Sequence, residues 1–287
     1  MALSSKTIIN LQDARLFLGK SSTNTADDAL IDMLVQHASA AVAKELGVDG
    51  VVSDTYREFH NGHKGKYLWL NNYPVTSVDL VSVGRDDALT ITYGGGDASY
   101  ATAEVTSTSL KLRKRVSGTL TASTFTLADY ATLTALETAV ELVSGWSVII
   151  ATDFASYAPA ALVPVPAKDA NEVAVTLSVP DQGEDLCEVE GTWGRLYNPY
   201  GWSWCGDRGI CIEYTAGWAR HDVPQPIRAA CLMIVKMSYD GVKRDMSVKS
   251  EQIGDYKYQL ADIISNTTSP IVQEMLEPYR RQVVFGI

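Results

Sequence analysis

His60 and His63 stand three residues apart, a spacing at which two imidazoles can share a metal ion. They also flank Asn61-Gly62, a dipeptide suited to a tight hairpin turn, and a solvated turn is the favoured reading. Only His37 and His221 remain besides these two, too few for a histidine-rich centre. The cysteines, Cys187, Cys205, Cys211 and Cys231, form no C-x-x-C pair and are read as reduced thiols, with a disulfide or a metal as the lesser reading. Glu184, Asp185, Glu188 and Glu190 cluster in a way that can hold a cation or divide into an acid and a base. On an acidic chain such a cluster is more simply solvated surface. Gly94-Gly95-Gly96 lacks the Lys-Ser/Thr of a phosphate loop, and no G-x-S-x-G elbow occurs. These residues point to no catalytic group, no metal site and no cofactor, so the chain is expected not to be an enzyme.

Two further stretches have binding chemistry. Lys111-Leu112-Arg113-Lys114-Arg115 concentrates positive charge, and strand alternation places Lys111, Arg113 and Arg115 on one face. That face suits phosphate or an acidic neighbour; a solvated strand edge guarded by charge is the commoner arrangement. Trp193, Tyr197, Tyr200, Trp202 and Trp204 are interleaved with Gly and Pro. Exposed, such rings stack on sugars, the mark of a carbohydrate-binding module; buried, they anchor a subunit or domain contact, the favoured reading.

The elements that must position these residues fall into two styles. Asp13 to Leu18 predicts a short helix stopped by Gly19. Asp27 and Asp28 favour the start of a longer one, in which Leu30, Leu34, Ala38, Ala41 and Val42 repeat at helical spacing up to Gly47. Tyr56–Phe59 and Tyr67–Leu70 predict two strands of a hairpin around His60–Gly65, and Val75–Val83 another strand after Pro74. Thr90–Tyr93 reads as one more. From about Arg85 to Leu186, Ala, Thr, Ser and Val dominate. A helix is predicted over Leu127 to Val143, with Leu133, Leu136, Val140 and Val143 on one face, and strands over Ser147–Ala151 and Val173–Val179. Beyond it come a strand at Ile210–Tyr214 and a helix introduced by Pro226, whose apolar face holds Ile227, Ala230, Cys231, Ile234, Met237 and Ser238. Ser269-Pro270 opens a last helix through Leu276, with Pro278 kinking it before Arg280-Arg281. The expected fold class is α+β: a helical-bundle core with a small sheet and hairpin, built from residues 1–84 and 187–287, interrupted by an inserted α+β module, 85–186.

The formal net charge is −10, which disfavours nucleic-acid binding over the whole surface, since that affinity comes from phosphates neutralised by Lys and Arg. It suits a surface from which a moving duplex must not stick. No apolar run reaches the ~18–20 residues of a membrane-spanning helix, and Met1–Asn10 lacks the pattern of a signal peptide, so no membrane association and synthesis in the cytosol are expected.

Three pieces of the chain carry a resemblance by their order. The first is the helix led by Asp27-Asp28 with Ala38-Ser39-Ala40-Ala41, followed by Tyr67-Leu68-Trp69-Leu70-Asn71-Asn72-Tyr73-Pro74-Val75-Thr76-Ser77-Val78. The second is Ile212-Glu213-Tyr214-Thr215-Ala216-Gly217-Trp218, then Val223-Pro224 and the helix from Ile227-Arg228-Ala229-Ala230. The third is Ser250-Glu251-Gln252-Ile253-Gly254-Asp255-Tyr256, with Leu276-Glu277-Pro278-Tyr279-Arg280-Arg281 near the C-terminus. Together they resemble the gp6-like head–tail connector (adaptor) family of tailed bacteriophages; residues of the middle hundred depart from its short members. The resemblance implies a structural protein of the virion neck, made in the host cytoplasm and assembled with itself as a ring (a dodecamer in relatives) beneath the portal protein. Such a ring extends the channel through which DNA passes unbound, and docks a stopper or tail-completion protein. By the same resemblance the portal contact falls on Tyr279, Arg280, Arg281, Val284 and Phe285, an aromatic, arginine and apolar set suited to an interface. These residues can equally just finish a helix and neutralise its carbonyl end. Another neck component, the stopper or tail-completion protein itself, and the carbohydrate-binding module stay open as alternatives.

Overall fold

The computed structural model describes residues 6–21, 25–181, 187–202, 207–243, 250–253, 256–259 and 269–281. Two helices, α1 (Leu11–Phe17) and α2 (Asp28–Leu46), open the chain. Seven strands follow: β1 (Asp54–His60), β2 (Tyr67–Trp69), β3 (Val75–Val83), β4 (Arg85–Tyr93), β5 (Ala98–Val105), β6 (Ser109–Val116) and β7 (Thr119–Thr126). Next come α3 (Leu133–Glu141), β8 (Trp146–Ile150), β9 (Val165–Asp169) and β10 (Val175–Pro180). The last part holds β11 (Glu188–Glu190), β12 (Arg195–Tyr197), β13 (Ile210–Ala216), α4 (Gln225–Lys243), β14 (Ser250–Ile253), β15 (Tyr256–Gln259) and α5 (Pro270–Leu276). The fold is thus mixed α/β, with five α-helices and several small antiparallel sheets among the described residues.

Helices from both ends of the chain share one apolar cluster. α2 buries Ile31, Leu34, Val35, Ala38, Val42 and Leu46, so its core stripe is turned slightly from the expected one and leaves Leu30 and Ala41 at the margin. α4 packs against it through Ile227, Ala230, Cys231, Ile234, Val235 and Tyr239, while Met237 and Ser238 are only half-buried. Small residues sit between the two helices: Ser39 Oγ donates to Val35 O at 2.8 Å, accepts from Ile8 N–H at 3.1 Å and lies 3.8 Å from Cys231 Sγ. Asp27 does not cap α2 with its side chain. Its carboxylate instead accepts from Tyr239 Oη at 2.5 Å and pairs with Lys20 at 3.2 Å, tying the start of α2 to α4. Gly47 ends α2 in the left-handed conformation, φ 73°, as its position predicts.

A three-stranded antiparallel sheet, β1-β13-β3, lies beside the helices with β13 in its centre. A second, β11-β12-β2, shares an apolar cluster with it, formed by Leu68, Leu70, Val81, Leu196, Trp202, Ile212 and Tyr214 among others. β1 and β2 therefore do not make the predicted hairpin: β1 pairs with β13, and β2 with β12. The almost wholly buried β13 offers β1 a partner, and the segment after His60 turns instead toward Trp202. Trp202 N–H donates to Gly65 O at 3.0 Å and its indole N–H to Lys66 O at 3.2 Å.

Residues 85–180 form two sheets, β10-β4-β8 and β7-β6-β5-β9, that bury one shared cluster including Ile91, Tyr93, Leu110, Leu112, Val148 and Leu177. Strands β5 and β7 escape the sequence pattern because Ala, Thr and Ser blur the apolar/polar alternation. β6 is an interior strand, not the solvated edge that its charges favoured. The helix expected over Leu127–Val143 is shorter. A 3-10 turn, Leu127–Asp129, precedes a break, and Thr132 restarts the chain as N-cap of α3 by accepting Ala135 N–H at 3.2 Å. This part leaves and rejoins the rest at one place: Asp181 N–H donates to Gly84 O at 3.3 Å, and Gly84 N–H to Gly209 O at 2.8 Å.

At the end of β13 the chain passes so close to residues 51–53 that only glycine fits. Gly217 has φ 100°, and a Cβ there would lie 2.8 Å from Val51 O and 2.9 Å from Ser53 N. Gly118 also has positive φ, 82°, but a Cβ there would meet nothing within 4 Å. Gly217→Ala is expected to cost at least about 2 kcal/mol and Gly118→Ala about 1 kcal/mol, because the first adds a backbone clash to the conformational strain. Urea unfolding of both variants checks this; equal losses would show that the close approach costs nothing.

Candidate functional site

The segment Leu70–Pro74 is where the helical cluster, the central sheet and the C-terminal residues meet. Its Tyr73-Pro74 peptide is cis. Asn72 is 1% exposed and fully engaged. Its backbone N–H donates to Tyr214 Oη at 3.1 Å, its side-chain amide donates to Asp49 Oδ2 at 3.0 Å, and its carbonyl oxygen accepts Asp49 N–H at 2.7 Å. Tyr214 in turn donates to Glu58 in a short bond. The Glu58 carboxylate also faces His60 Nε2 at 2.9 Å and accepts Asn71 N–H at 3.1 Å. Burial pushes the Glu58 carboxyl up, but the bonds from His60, Tyr214 and Asn71 together outweigh it and hold the group below the usual range. Burial, reinforced by the bond to Glu58, raises the Tyr214 hydroxyl and keeps it a neutral donor.

Tyr73 extends this set in the other direction. Its hydroxyl donates to Leu46 O at the end of α2, at 2.5 Å, and accepts Arg281 N–H at 3.0 Å. The Arg281 guanidinium donates to Leu70 O at 2.6 Å and stacks over the rings of Tyr73 at 4.5 Å and Trp69 at 5.4 Å. Arg195 lies 5.2 Å from the Trp69 ring and 4.1 Å from the ring of Tyr67. Rings and guanidinium groups thus alternate from Tyr67 to Tyr73. Burial lowers the Arg281 pKa from its ordinary value, against the pull of Tyr73, Tyr214 and Glu58. Gly194 belongs to the same seat, for a Cβ there would lie 2.9 Å from both Arg281 Nη2 and Asn72 O.

Of the residues assigned to a portal contact, Tyr279, Arg280 and Arg281 are all held within the chain. Tyr279 meets Trp218 edge-on at 6.4 Å. Arg280 forms a short ion pair with Glu45, donates to Glu45 O at 3.2 Å, and pairs with Glu277 at 3.1 Å. Val284 and Phe285 lie outside the described residues. Sequence reasoning missed Glu58, Asn72, Tyr73 and Tyr214 as a set. Their spacing carried no local signal, because Asn72 and Tyr73 lie between strands and Glu58 sits in a mostly polar one.

The other candidates separate. His60 is half-buried against Glu58 rather than solvated, and His63 Nδ1 accepts Gly65 N–H at 3.0 Å. No group of three metal-ligating side chains occurs among the described residues. Cys211 and Cys231 are free thiols, and burial pushes Cys231 up to about 12; Cys205 lies outside the described residues. Glu190 pairs with Arg195, Glu188 is exposed, and Glu184 and Asp185 are not described. The aromatic stretch divides: Trp202 is 1% exposed, Trp193 and Tyr200 are 42% and 85% exposed, and Trp204 is not described. No helix of the described residues is long and apolar enough to cross a membrane.

Because the folded chain holds the Glu58 proton less tightly than the unfolded chain does, its contribution is complete above the unfolded value of about 4.5 and is lost as pH falls through the lowered folded value. Glu58→Gln is expected to cost about 1–3 kcal/mol at neutral pH and to flatten the loss of stability below pH ~4.5. Urea midpoints of wild type and variant from pH 3 to 7 test this; parallel curves would remove Glu58 from the acid response.

No family model and no curated protein matches the chain. Among solved structures, a chain titled "Neck of empty GTA particle computed with C6 symmetry" is similar at 13% identity and a TM-score of 0.42, over 100% of this chain and 96% of that chain. A second, titled "Virion of native gene transfer agent (GTA) particle", is similar at 14% identity and a TM-score of 0.40, again over 100% and 96%.

Proposed function

We propose that the chain is a structural, non-enzymatic component of the neck of a tailed-phage-type particle, and within it the head–tail adaptor. The observation that carries this reading is the meeting of three pieces far apart in sequence. Asn72 and Tyr73 come from the first segment that resembles the adaptor family, Tyr214 and Trp218 from the second, and Tyr279 and Arg281 from the third. They touch directly, through Asn72–Tyr214, Tyr73–Arg281 and Trp218–Tyr279. An ordered sequence likeness gains weight when its separated parts form one packed unit.

In this reading residues 1–84 and 187–287 are the adaptor core, with a helical bundle of α1, α2, α4 and α5, and residues 85–186 are an inserted module. Copies assemble as a ring below the portal protein and receive the stopper or tail-completion protein, while DNA passes through the lumen without specific binding. The contact with the portal is made by the C-terminal segment, Tyr279, Arg280, Arg281, Val284 and Phe285. Interfaces of this kind draw most of their affinity from a few aromatic, arginine and apolar anchors.

Cryo-electron microscopy of intact particles tests the assignment. Density for this chain as a ring directly below the portal, with its C-terminal segment against the portal, is the expected outcome. Density that fits only a fibre or baseplate would sink the adaptor reading. Deleting residues 282–287 is expected to weaken portal binding at least about tenfold, the effect of one lost anchor, while leaving thermal unfolding within a few degrees of wild type. Unchanged portal affinity would exclude that segment as the contact.

A further inference from the structure

The outward side of β5, β6 and β7 is a basic face. Leu110 and Leu112 of β6, and Ala101 and Ala103 of β5, point into the core. Alternation therefore turns Lys111, Arg113 and Arg115 outward, beside Tyr100 and Leu120 of the neighbouring strands. Ser99, Tyr100, Arg113, Arg115 and Leu120 line an open cleft of about 500 Å³. Tyr100 and Leu120 are 42% and 52% exposed, so the cleft joins apolar surface to two guanidinium groups. Two acidic residues share this side, and each has a partner: Glu104 faces Arg113 at 3.5 Å, and Asp169 accepts Asn171 N–H at 3.0 Å. Lys111 and Arg115 have no carboxylate partner among the described residues.

The opposite imbalance occurs at the end of the other sheet of the same region. Asp86 and Asp87 follow Arg85 at the start of β4, and Asp181 follows β10. None of the three forms an ion pair among the described residues, and the adjacent Arg85 donates to the carbonyls of Asp207 and Arg208. Burial first, then Asp181 and Asp87, raise the Asp86 carboxyl, as expected where like charges crowd without a cation. We infer that the basic cleft on β5–β7 receives the Asp86–Asp87–Asp181 corner of a second copy of this chain, making the head-to-tail contact between neighbouring subunits. The contact is heterologous, the kind that a ring of identical subunits uses when its rotation closes. Charge complementarity selects the occupant. A chain of net charge −10 repels duplex DNA as a whole, and three cations account for a salt slope of only about −3. A second copy instead supplies the carboxylates that the cleft lacks. Charged pairs of this kind set register and suppress wrong partners more than they add affinity.

The inference rests on the ring proposed above, and charge reversal separates the two. Assembly of the full-length chain, alone and with portal, is followed by sedimentation velocity at low and moderate salt. Arg113→Glu/Arg115→Glu and Asp86→Lys/Asp181→Lys are each expected to raise the concentration for half-assembly at least tenfold, and mixing the two variants is expected to recover part of the loss. Arg113→Gln/Arg115→Gln should fall between, with unfolding temperatures close to wild type. Rings that form equally well in the reversed variants, or variants that weaken without recovery on mixing, would overturn the contact and leave the ring intact. Binding of a duplex oligonucleotide that is lost in Arg113→Glu/Arg115→Glu, with assembly unchanged, would assign the cleft to nucleic acid instead. A wild-type chain that never self-associates, with or without portal, would overturn both readings.

Discussion

A buried polar side chain is tolerated only when each of its donors and acceptors is matched, and Asn72 meets that condition through residues from two other parts of the chain. Its backbone N–H and side chain are taken up by Tyr214 and Asp49, and Tyr214 is fixed in turn by Glu58. Apolar contacts hold the helices and the sheet together as separate layers, but they leave considerable freedom of relative position. The Asn72 set removes that freedom, because hydrogen bonds are directional and a shift of about an ångström leaves a buried group unmatched. Tyr73 and Arg281 extend the same constraint to the C-terminal residues, so the end of α2, the middle of β13 and the last described residues share one frame of reference.

Much of the helical part was legible because its residues obey local rules. The Asp27–Gly47 helix has acids at its start, a 3.6-residue apolar repeat and a glycine at its end, and the structure follows all three except that Asp27 serves Tyr239 rather than the helix terminus. The Pro226 helix was equally clear. What escaped was governed by distant partners. Asn61-Gly62 has the chemistry of a hairpin turn, yet β13, some 150 residues further on, competes for β1 and wins the pairing. Strands β5 and β7 are written in Ala, Thr and Ser, residues that fit a strand without announcing one. The candidate site was the least legible, since neither Glu58 nor Asn72 has a local pattern and each matters only through a residue that the fold brings to it.

The two charged stretches show how one sequence feature changes meaning once paired strands are known. Read alone, Lys111 to Arg115 describes an edge protected from aggregation. Placed in the interior of a four-stranded sheet, with Leu110 and Leu112 inward, the same residues become a broad outward face. The aromatic run from Trp193 divides instead. Trp202 closes the loop after β1 from inside, while Arg195 and Arg281 stack with Tyr67, Trp69 and Tyr73 at the margin of the small sheet.

The hydrogen bond from Asp181 to Gly84 has a consequence for heredity. β3 and β13 are antiparallel neighbours whose pairing ends at Val83 and Ile210, one residue before Gly84 and one after Gly209. The two sheets of residues 85–180 therefore depart and return at neighbouring points beside the Val83–Ile210 pair, and their removal breaks no ladder between the strands that remain, only bonds such as those from Arg57 to Ala160 O and Ala161 O and from Arg208 to Pro164 O. A recombination event with breakpoints at these two positions exchanges the whole region in one step. Descendants of such an event keep the frame around Asn72 while acquiring a different outer face, so gene lineages carrying this architecture are expected to differ most between those two points.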